Sequence, residues 1–270
     1  MLFRSIPGFV RVFRCGCTVK TGVIRKLRRK VLQQVIAQLF VRTRADDGLV
    51  RLGSDYGGWW APTAVLRPGA SVVSAGVGED TTFDEALLAL GCEVWAVDPT
   101  PRAAVHVRAR DAEAPFNDRF HFLPVGLWHR REVLRFYAPA NPAHVSHSVV
   151  NIHQTSTWFL ADCWSLNDVM TQAGLATIDV LKLDIEGAEN AVLTHILYDR
   201  TRPKTICVEL DAPLPEGRTI GLLVRLRRSG YRLARMDGWN LLLLYEGPPT
   251  HRNRTADARS ASAPDIPKAR

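Results

Sequence analysis

The sequence predicts one doubly wound α/β domain with a mostly parallel, seven-stranded sheet whose last strand runs antiparallel. Three observations carry this. Short β-branched runs alternate with helical ones from Arg67 to Glu246. Three of the strand-to-helix turns bear glycine or a carboxylate at the strand tip. The last two apolar runs are separated by little more than Gly238, too short a connection for a parallel crossover.

The elements follow in order. ASVVSA (70–75) is the first strand, and TTFDEALLAL (81–90) is a helix with Phe83, Ala86, Leu87 and Leu90 on one side. EVWAVDP (93–99) is the second strand, stopped by Pro99, and PRAAVHVRAR (101–110) starts on a proline whose missing N–H costs nothing there. RFHFLPVGLW (119–128) is read as the third strand, and EVLRFYAP after it as a short strand pairing locally in an excursion. SLNDVMTQAG (165–174) is a helix with Ser165 as its cap and Gly174 at its end. VLKLDIE is the fourth strand, GAENAVLTHILYD a helix, TICVEL (205–210) the fifth strand and TIGLLVRLRRSG (219–230) another helix. YRLARMD and WNLLLLYE close the sheet as a hairpin-like pair.

Charge divides the chain into three. Residues 1–44 carry eleven Lys/Arg and no acid, so the formal charge of +8 is set at the ends. Residues 45–249, the domain proper, carry 19 basic and 25 acidic residues, a net −6. The tail, 250–270, lacks apolar periodicity and reads as disordered. The leader is similar in composition to a transit peptide, but RKLRRKVLQQVIAQLFV from Arg25 has helical apolar spacing and reads better as an accessory helix. Such a helix lies on the domain or makes weak contact with an anionic surface.

With 46% hydrophobic and 23% charged residues and no run of ~20 apolar residues, the composition is that of a soluble, cytoplasmic protein. Organelle targeting or peripheral membrane attachment through residues 1–44 is the alternative. The five cysteines are odd in number and scattered, which excludes a disulfide framework. Cys15 and Cys17 lack a second ligand pair for zinc.

The strand tips are where such sheets bind ligands. The first tip, SAGVGED, places Gly76 and Gly78 between strand and helix, so the backbone turns sharply and comes close to a ligand. A dinucleotide fingerprint needs a third glycine, and Asp80 and Thr81 stand in that region instead. Asp98 ends the next strand about twenty residues on, where an acid accepts hydrogen bonds from ribose hydroxyls. Glu79 and Asp80 argue against a phosphate-bearing ligand and suit one with positive charge. S-adenosylmethionine, a nucleoside with a sulfonium and an amino-acid end, meets that description.

Together with these features, YGGWWAP (56–62), VDPTPRA, VGLW and above all IDVLKLDIEGAE (178–189) resemble the FkbM family of S-adenosylmethionine-dependent methyltransferases. Its hallmark is K-x-D-x-E-G-x-E, and the resemblance covers roughly residues 50–246. It implies the Rossmann-like class I methyltransferase sheet with strand order 3-2-1-4-5-7-6. It also implies methyl transfer to hydroxyl oxygens of sugars or polyketide-like small molecules. In the first loop Ser74 stands where the family has Asp, Gly78 where it has Asn, and Asp80 where it has a third Gly. Glu79 and Asp80 are then expected to take over contact with the cofactor's amino group.

Carried over residue by residue, Gly76 and Gly78 approach the methionine part, Asp98 the ribose, and the turn at Val125 and Gly126 the adenine. Asp184 falls where the fold faces methyl donor and acceptor together, and is the leading candidate for orienting or deprotonating the acceptor. Glu186 shares its face if the strand runs that far, and two adjacent carboxylates raise one another's pKa. Its other reading is as an anion at the following helix N-terminus. Glu189, within that helix, reads as structural.

His147, and less so His144, lie in the polar excursion and are alternative bases. Trp59 and Trp60 read as a lid, a sugar-stacking surface or packing. No metal is predicted, although Asp184, Glu209 and Asp211 are strand-tip acids of the kind that hold Mg²⁺. An NAD-linked oxidoreductase is the rival enzyme, opposed by the missing glycine and by the lack of a Y-x-x-x-K pair. A nucleic-acid- or membrane-surface-binding protein on a degenerate cofactor fold is the rival from outside enzymes. No nucleic-acid partner is expected.

Overall fold

The computed structural model describes residues 18–140, 147–151, 154–210 and 216–248. Cys15, Cys17, His144, Asp211 and the tail from Thr250 lie outside these residues. Helix α1 (Thr18–Phe40) leads into a hairpin of β1 (Leu49–Leu52) and β2 (Trp59–Pro62). Then come β3 (Ser71–Ala75), α2 (Thr82–Ala89), β4 (Glu93–Val97), α3 (Pro101–Glu113) and β5 (Phe120–Leu123). An inserted layer follows: β6 (Gly126–Leu127), β7 (Glu132–Tyr137) and β8 (Trp158–Trp164). The chain finishes with α4 (Leu166–Ala173), β9 (Val180–Leu183), α5 (Glu189–Tyr198), β10 (Thr205–Glu209), α6 (Glu216–Arg228), β11 (Tyr231–Asp237) and β12 (Asn240–Tyr245).

The main sheet runs β5-β4-β3-β9-β10-β12-β11, with β12 antiparallel to both neighbours. Numbered by principal strand this is 3-2-1-4-5-7-6, the order expected. Strand order reverses between β3 and β9, so the crevice for a ligand opens above their carboxyl ends. All five residues of β3 and all four of β9 are buried, because helices cover both faces. On one face Val72, Val94, Val180 and Cys207 pack with Phe83 and Leu87 of α2 and with Trp59. On the other, Val73, Leu181, Leu183 and Ile206 meet Val169, Leu193, Leu222 and Leu226.

Two expectations are corrected here. RFHFLPVGLW is not one strand: β5 ends at Leu123, Pro124 interrupts the ladder, and Gly126–Leu127 pair with β8 in a separate three-stranded sheet. The fourth strand does not reach Glu186. It ends at Leu183, and the following helix starts at Glu189, not at Gly187. Ser165 and Gly174 behave as read: Ser165 and Asp168 form a reciprocal capping box, and Gly174 ends the helix at φ 66°.

Helix α1 supplies Leu32 and Ile36 to the core. Beyond it, the Arg42 amide donates to Leu233 O at 2.8 Å and Thr43 Oγ1 to Ala234 O at 2.5 Å, satisfying the irregular segment of β11. Arg232 then ties the connection to the sheet edge, donating to Asp47 Oδ2 at 3.0 Å and to Glu246 Oε1 at 2.6 Å. The Arg232 hydrogen bond holds the Asp47 carboxyl below its ordinary 3.8, so this stabilisation is present above that pH and fades as pH falls through the lowered value. Arg232→Ala leaves half-buried Asp47 with the Arg44 amide as a remaining partner and is expected to cost about 1–2 kcal/mol in chemical denaturation at neutral pH. A loss within the range of ordinary surface substitutions would contradict that account.

Cys92, Cys163 and Cys207 are free and buried. Among the described residues no helix is long and apolar enough to cross a membrane.

Candidate active site

Gly76 turns the chain off β3 at φ 88°, its amide donating to Val97 O at 2.9 Å. A Cβ there would lie 1.7 Å from the carbonyl oxygen of Asp184, so the loop and the β9 tip touch backbone to backbone. Only glycine permits that contact. Asp98, buried at the β4 tip, braces the same loop. Its Oδ2 accepts from the Val77 and Gly78 amides at 2.9 and 3.0 Å, and its Oδ1 from the Thr100 amide and hydroxyl at 2.8 and 2.6 Å. A carboxylate has about four acceptor positions, and all are taken within the protein. The ribose role read from the sequence therefore has no free acceptor in this structure, although Asp98 lines the cavity.

The two acids after Gly78 are also engaged. Asp80 Oδ2 accepts from Ser54 Oγ at 2.5 Å, and Oδ1 from the Thr82 amide at 2.9 Å. Burial opposes its ionisation, yet the Ser54 and Thr82 hydrogen bonds hold it below the ordinary carboxylate value. Asp80 thus ties the loop to the β1–β2 hairpin and to α2. Glu79 pairs with Arg102 of α3 at 3.0 Å on the outer rim.

One cavity of about 410 Å³ lies above the switch point, within the ~300–1,000 Å³ range of small-molecule sites. Gly76, Gly78, Glu79, Asp80 and Asp98 line its loop side, and Gly126, Leu127 and Phe136 form an apolar wall. Asp184, Glu186, His147 and Glu209 line the remainder. Ser74 and Val125 do not line it. Ser74 is fully buried beneath the loop, and Val125 is buried behind Gly126.

Asp184 and Glu186 are not a strand pair. The Asp184 amide still bonds to Ala75 O at 3.0 Å, but Glu186 adopts a left-handed φ of 50°, and its carbonyl accepts from Ser148 Oγ of the inserted layer. Nor is Glu186 the residue that serves the turn. Glu189 does so, buried, with its carboxylate accepting the Gly187 amide at 3.0 Å and the Ile185 amide at 3.3 Å. His147 packs its ring edge-on to Phe159, 5.3 Å between centroids. The tryptophans do not lid the cavity: Trp59 is buried under the sheet, and Trp60 stacks beneath Arg235, 3.9 Å from its centroid. Tyr56 and Gly57 line the cavity instead. Among the described residues no group of three His, Cys, Asp or Glu is placed to hold a metal ion.

A family model described as the methyltransferase FkbM domain matches residues 69–233. The chain belongs to this family. The match spans β3 through the start of β11, and so contains both glycine loop and β9 tip. Among solved structures, methyltransferase FkbM from Methylobacillus flagellatus KT is 15% identical, with a TM-score of 0.44. That alignment covers 82% of this chain but 60% of the other, so this FkbM chain spans about 60% of that protein's length. Magnesium protoporphyrin IX methyltransferase from Synechocystis PCC 6803 with bound SAM is 13% identical, covering 88% and 85% of the two chains, with a TM-score of 0.37. An rRNA methylase from Streptococcus thermophilus is 14% identical, covering 69% and 91%, with a TM-score of 0.37. No curated protein matches the sequence.

Sequence reasoning missed what lies beneath the FkbM hallmark. Lys182, buried in β9, donates to the Gly76 carbonyl and stands 3.8 Å from Asp184 Oδ2, with the Trp59 ring 5.9 Å from its Nζ. It therefore supports both halves of the site. Its position inside an otherwise apolar buried strand was the available signal, because a buried ammonium requires a carboxylate nearby. Asp84 of α2 is that second anion. Burial pushes its carboxyl up to about 6, against the pull of Lys182 and of Ser74, whose hydroxyl lies beside it without closing a well-formed hydrogen bond.

Because the folded value is above the ordinary 3.8, Asp84 favours folding below that pH, and the contribution is lost as pH rises through about 6. Asp84→Asn cannot ionise. Its stability relative to the parent is expected to rise by about 3 kcal/mol between about pH 3.5 and pH 7.5. Denaturant titrations at the two pH values check this, and a difference independent of pH would contradict it.

Proposed function

We propose that this chain is an S-adenosylmethionine-dependent methyltransferase acting on a hydroxyl of a sugar or polyketide-like small molecule. The observation that carries the reading is the meeting, in one cavity, of the Asp98-braced glycine loop with Asp184 at the neighbouring strand tip. Membership of the FkbM family supports the reaction class. S-adenosylmethionine, when bound, supplies an electrophilic methyl group. The residues fit it by their chemistry: carboxylates dominate the polar lining, which suits sulfonium and ammonium charges and opposes phosphate. Leu127 and Phe136 offer an apolar wall suited to adenine, beside Val125 and Gly126.

In this reading Gly76 and Gly78 bring bare backbone to the methionine end, and Glu79 and Asp80 supply negative charge there. Asp98 serves by fixing the loop, with Ser74 as support below it. Methyl transfer is an in-line displacement, so alignment of the acceptor oxygen is the main demand on the protein. Asp184 orients the acceptor hydroxyl and takes its proton, with Lys182 holding the carboxylate in position. His147 is the alternative base, and Glu186 helps to wall the acceptor side.

Incubation with methyl-labelled S-adenosylmethionine and a panel of polyols and hydroxylated polyketides tests the reading. It predicts a labelled O-methyl ether, stable to mild alkali. Label on nitrogen or carbon, or none on any hydroxyl acceptor despite cofactor binding, would overturn the hydroxyl assignment.

A further inference from the structure

Helix α1 has a second apolar face that the fold does not use. Leu32 and Ile36 point into the core, while Ile24, Leu27, Val31 and Leu39 are 50%, 61%, 51% and 57% exposed. At about 100° per residue these four fall in one stripe along the outer side of the helix, with half-buried Val35 among them. The helix has no acidic residue; Arg28 and Gln38 are exposed within the stripe, and Lys26 and Lys30 are exposed on the polar side. The neighbouring helix α6 adds exposed Arg225, Arg227 and Arg228. Exposed aliphatic side chains together with cations on two neighbouring helices match the interface of an anionic bilayer, where side chains enter the acyl boundary and cations meet the headgroups.

We propose that α1 docks this protein on anionic phospholipid membranes through the Ile24–Leu39 stripe. A nucleic acid would engage the cations but has no use for a row of aliphatic side chains, and the stripe carries no aromatic ring for stacking. A second copy would bring acid-free helices together, like charge against like. The Arg29 guanidinium lies 5.0 Å over the Trp239 ring, which fixes the middle of the helix against the turn between β11 and β12.

Cosedimentation of the full chain with vesicles tests the inference. Vesicles of phosphatidylcholine with roughly one-third phosphatidylglycerol are expected to bind it at least about tenfold better than phosphatidylcholine alone. Leu27→Glu with Val31→Glu should weaken that binding by about tenfold or more, with circular dichroism and thermal melting unchanged. Lys26→Glu with Lys30→Glu, on the polar side, should weaken it comparably and serves if the first variant folds poorly. No binding to anionic vesicles, or binding that neither variant alters, would overturn the proposal. So would capture by duplex RNA in preference to the vesicles, undiminished by Leu27→Glu with Val31→Glu.

Discussion

Asp184→Asn is expected to lower the turnover rate by about 10²- to 10⁴-fold, the usual contribution of a positioned acid or base. Asparagine keeps the size and polarity of the side chain but cannot take a proton. The Asp184 amide bond to Ala75 O and the contact of its carbonyl with Gly76 belong to the backbone, so the tip itself should persist. Binding of S-adenosylhomocysteine should therefore change by no more than about threefold, a difference below 1 kcal/mol. Single-turnover rates and calorimetry on the same preparation separate the two effects. Equal losses in rate and affinity would move Asp184 from the chemistry into cofactor binding.

Gly76→Ala is expected to be the most disruptive single substitution in the loop. Its Cβ would sit 1.7 Å from the Asp184 carbonyl oxygen and 2.7 Å from the carbonyl carbon, both backbone atoms that no rotamer change can move. The residue also holds φ 88°, which alanine rarely adopts. Gly174 is the internal control: it has φ 66°, but nothing lies within 4 Å of a Cβ there. Gly174→Ala should cost about 1 kcal/mol from backbone strain alone. Gly76→Ala should cost about 3 kcal/mol or more, with at least about tenfold weaker cofactor binding. Equal costs at the two positions would mean that the loop and the β9 tip are not in contact.

How far the sequence was legible depended on whether a feature is local. Buried strands such as SVVSA and VLKL betray themselves by continuous apolar residues, and Ser165 and Gly174 by cap chemistry, so most of the sheet and its order could be read. Strand β8 could not. WFLADCW alternates only weakly, and its partner is the strand β7 across a polar excursion, a non-local pairing without a short turn to announce it. The β1–β2 hairpin was hidden for a related reason: its strands are four residues each, and its loop is held by Ser54 and Asp80 rather than by a standard two-residue turn.

The site shows the same division. The cavity collects eight residues read from the strand tips, from Gly76 to Glu186, because topology alone brings tips together. Side-chain engagement was not legible. Asp98 spends its acceptors on Val77, Gly78 and Thr100, and Asp80 on Ser54 and Thr82, choices that depend on loop conformations no pattern specifies. The K-x-D-x-E-G-x-E stretch divides its labour accordingly. Lys182 holds the Gly76 carbonyl, Asp184 faces the cavity, Glu186 turns with a left-handed backbone, and Glu189 satisfies the amides of that turn.

The central claim is that the Asp98-braced loop and the Asp184 tip form a cofactor site, and titration calorimetry with S-adenosylhomocysteine tests it most directly. One-site binding with a dissociation constant of about 1–100 μM, equivalent to roughly 5–8 kcal/mol, is the predicted result. No heat of binding at near-millimolar ligand from a folded sample would contradict it.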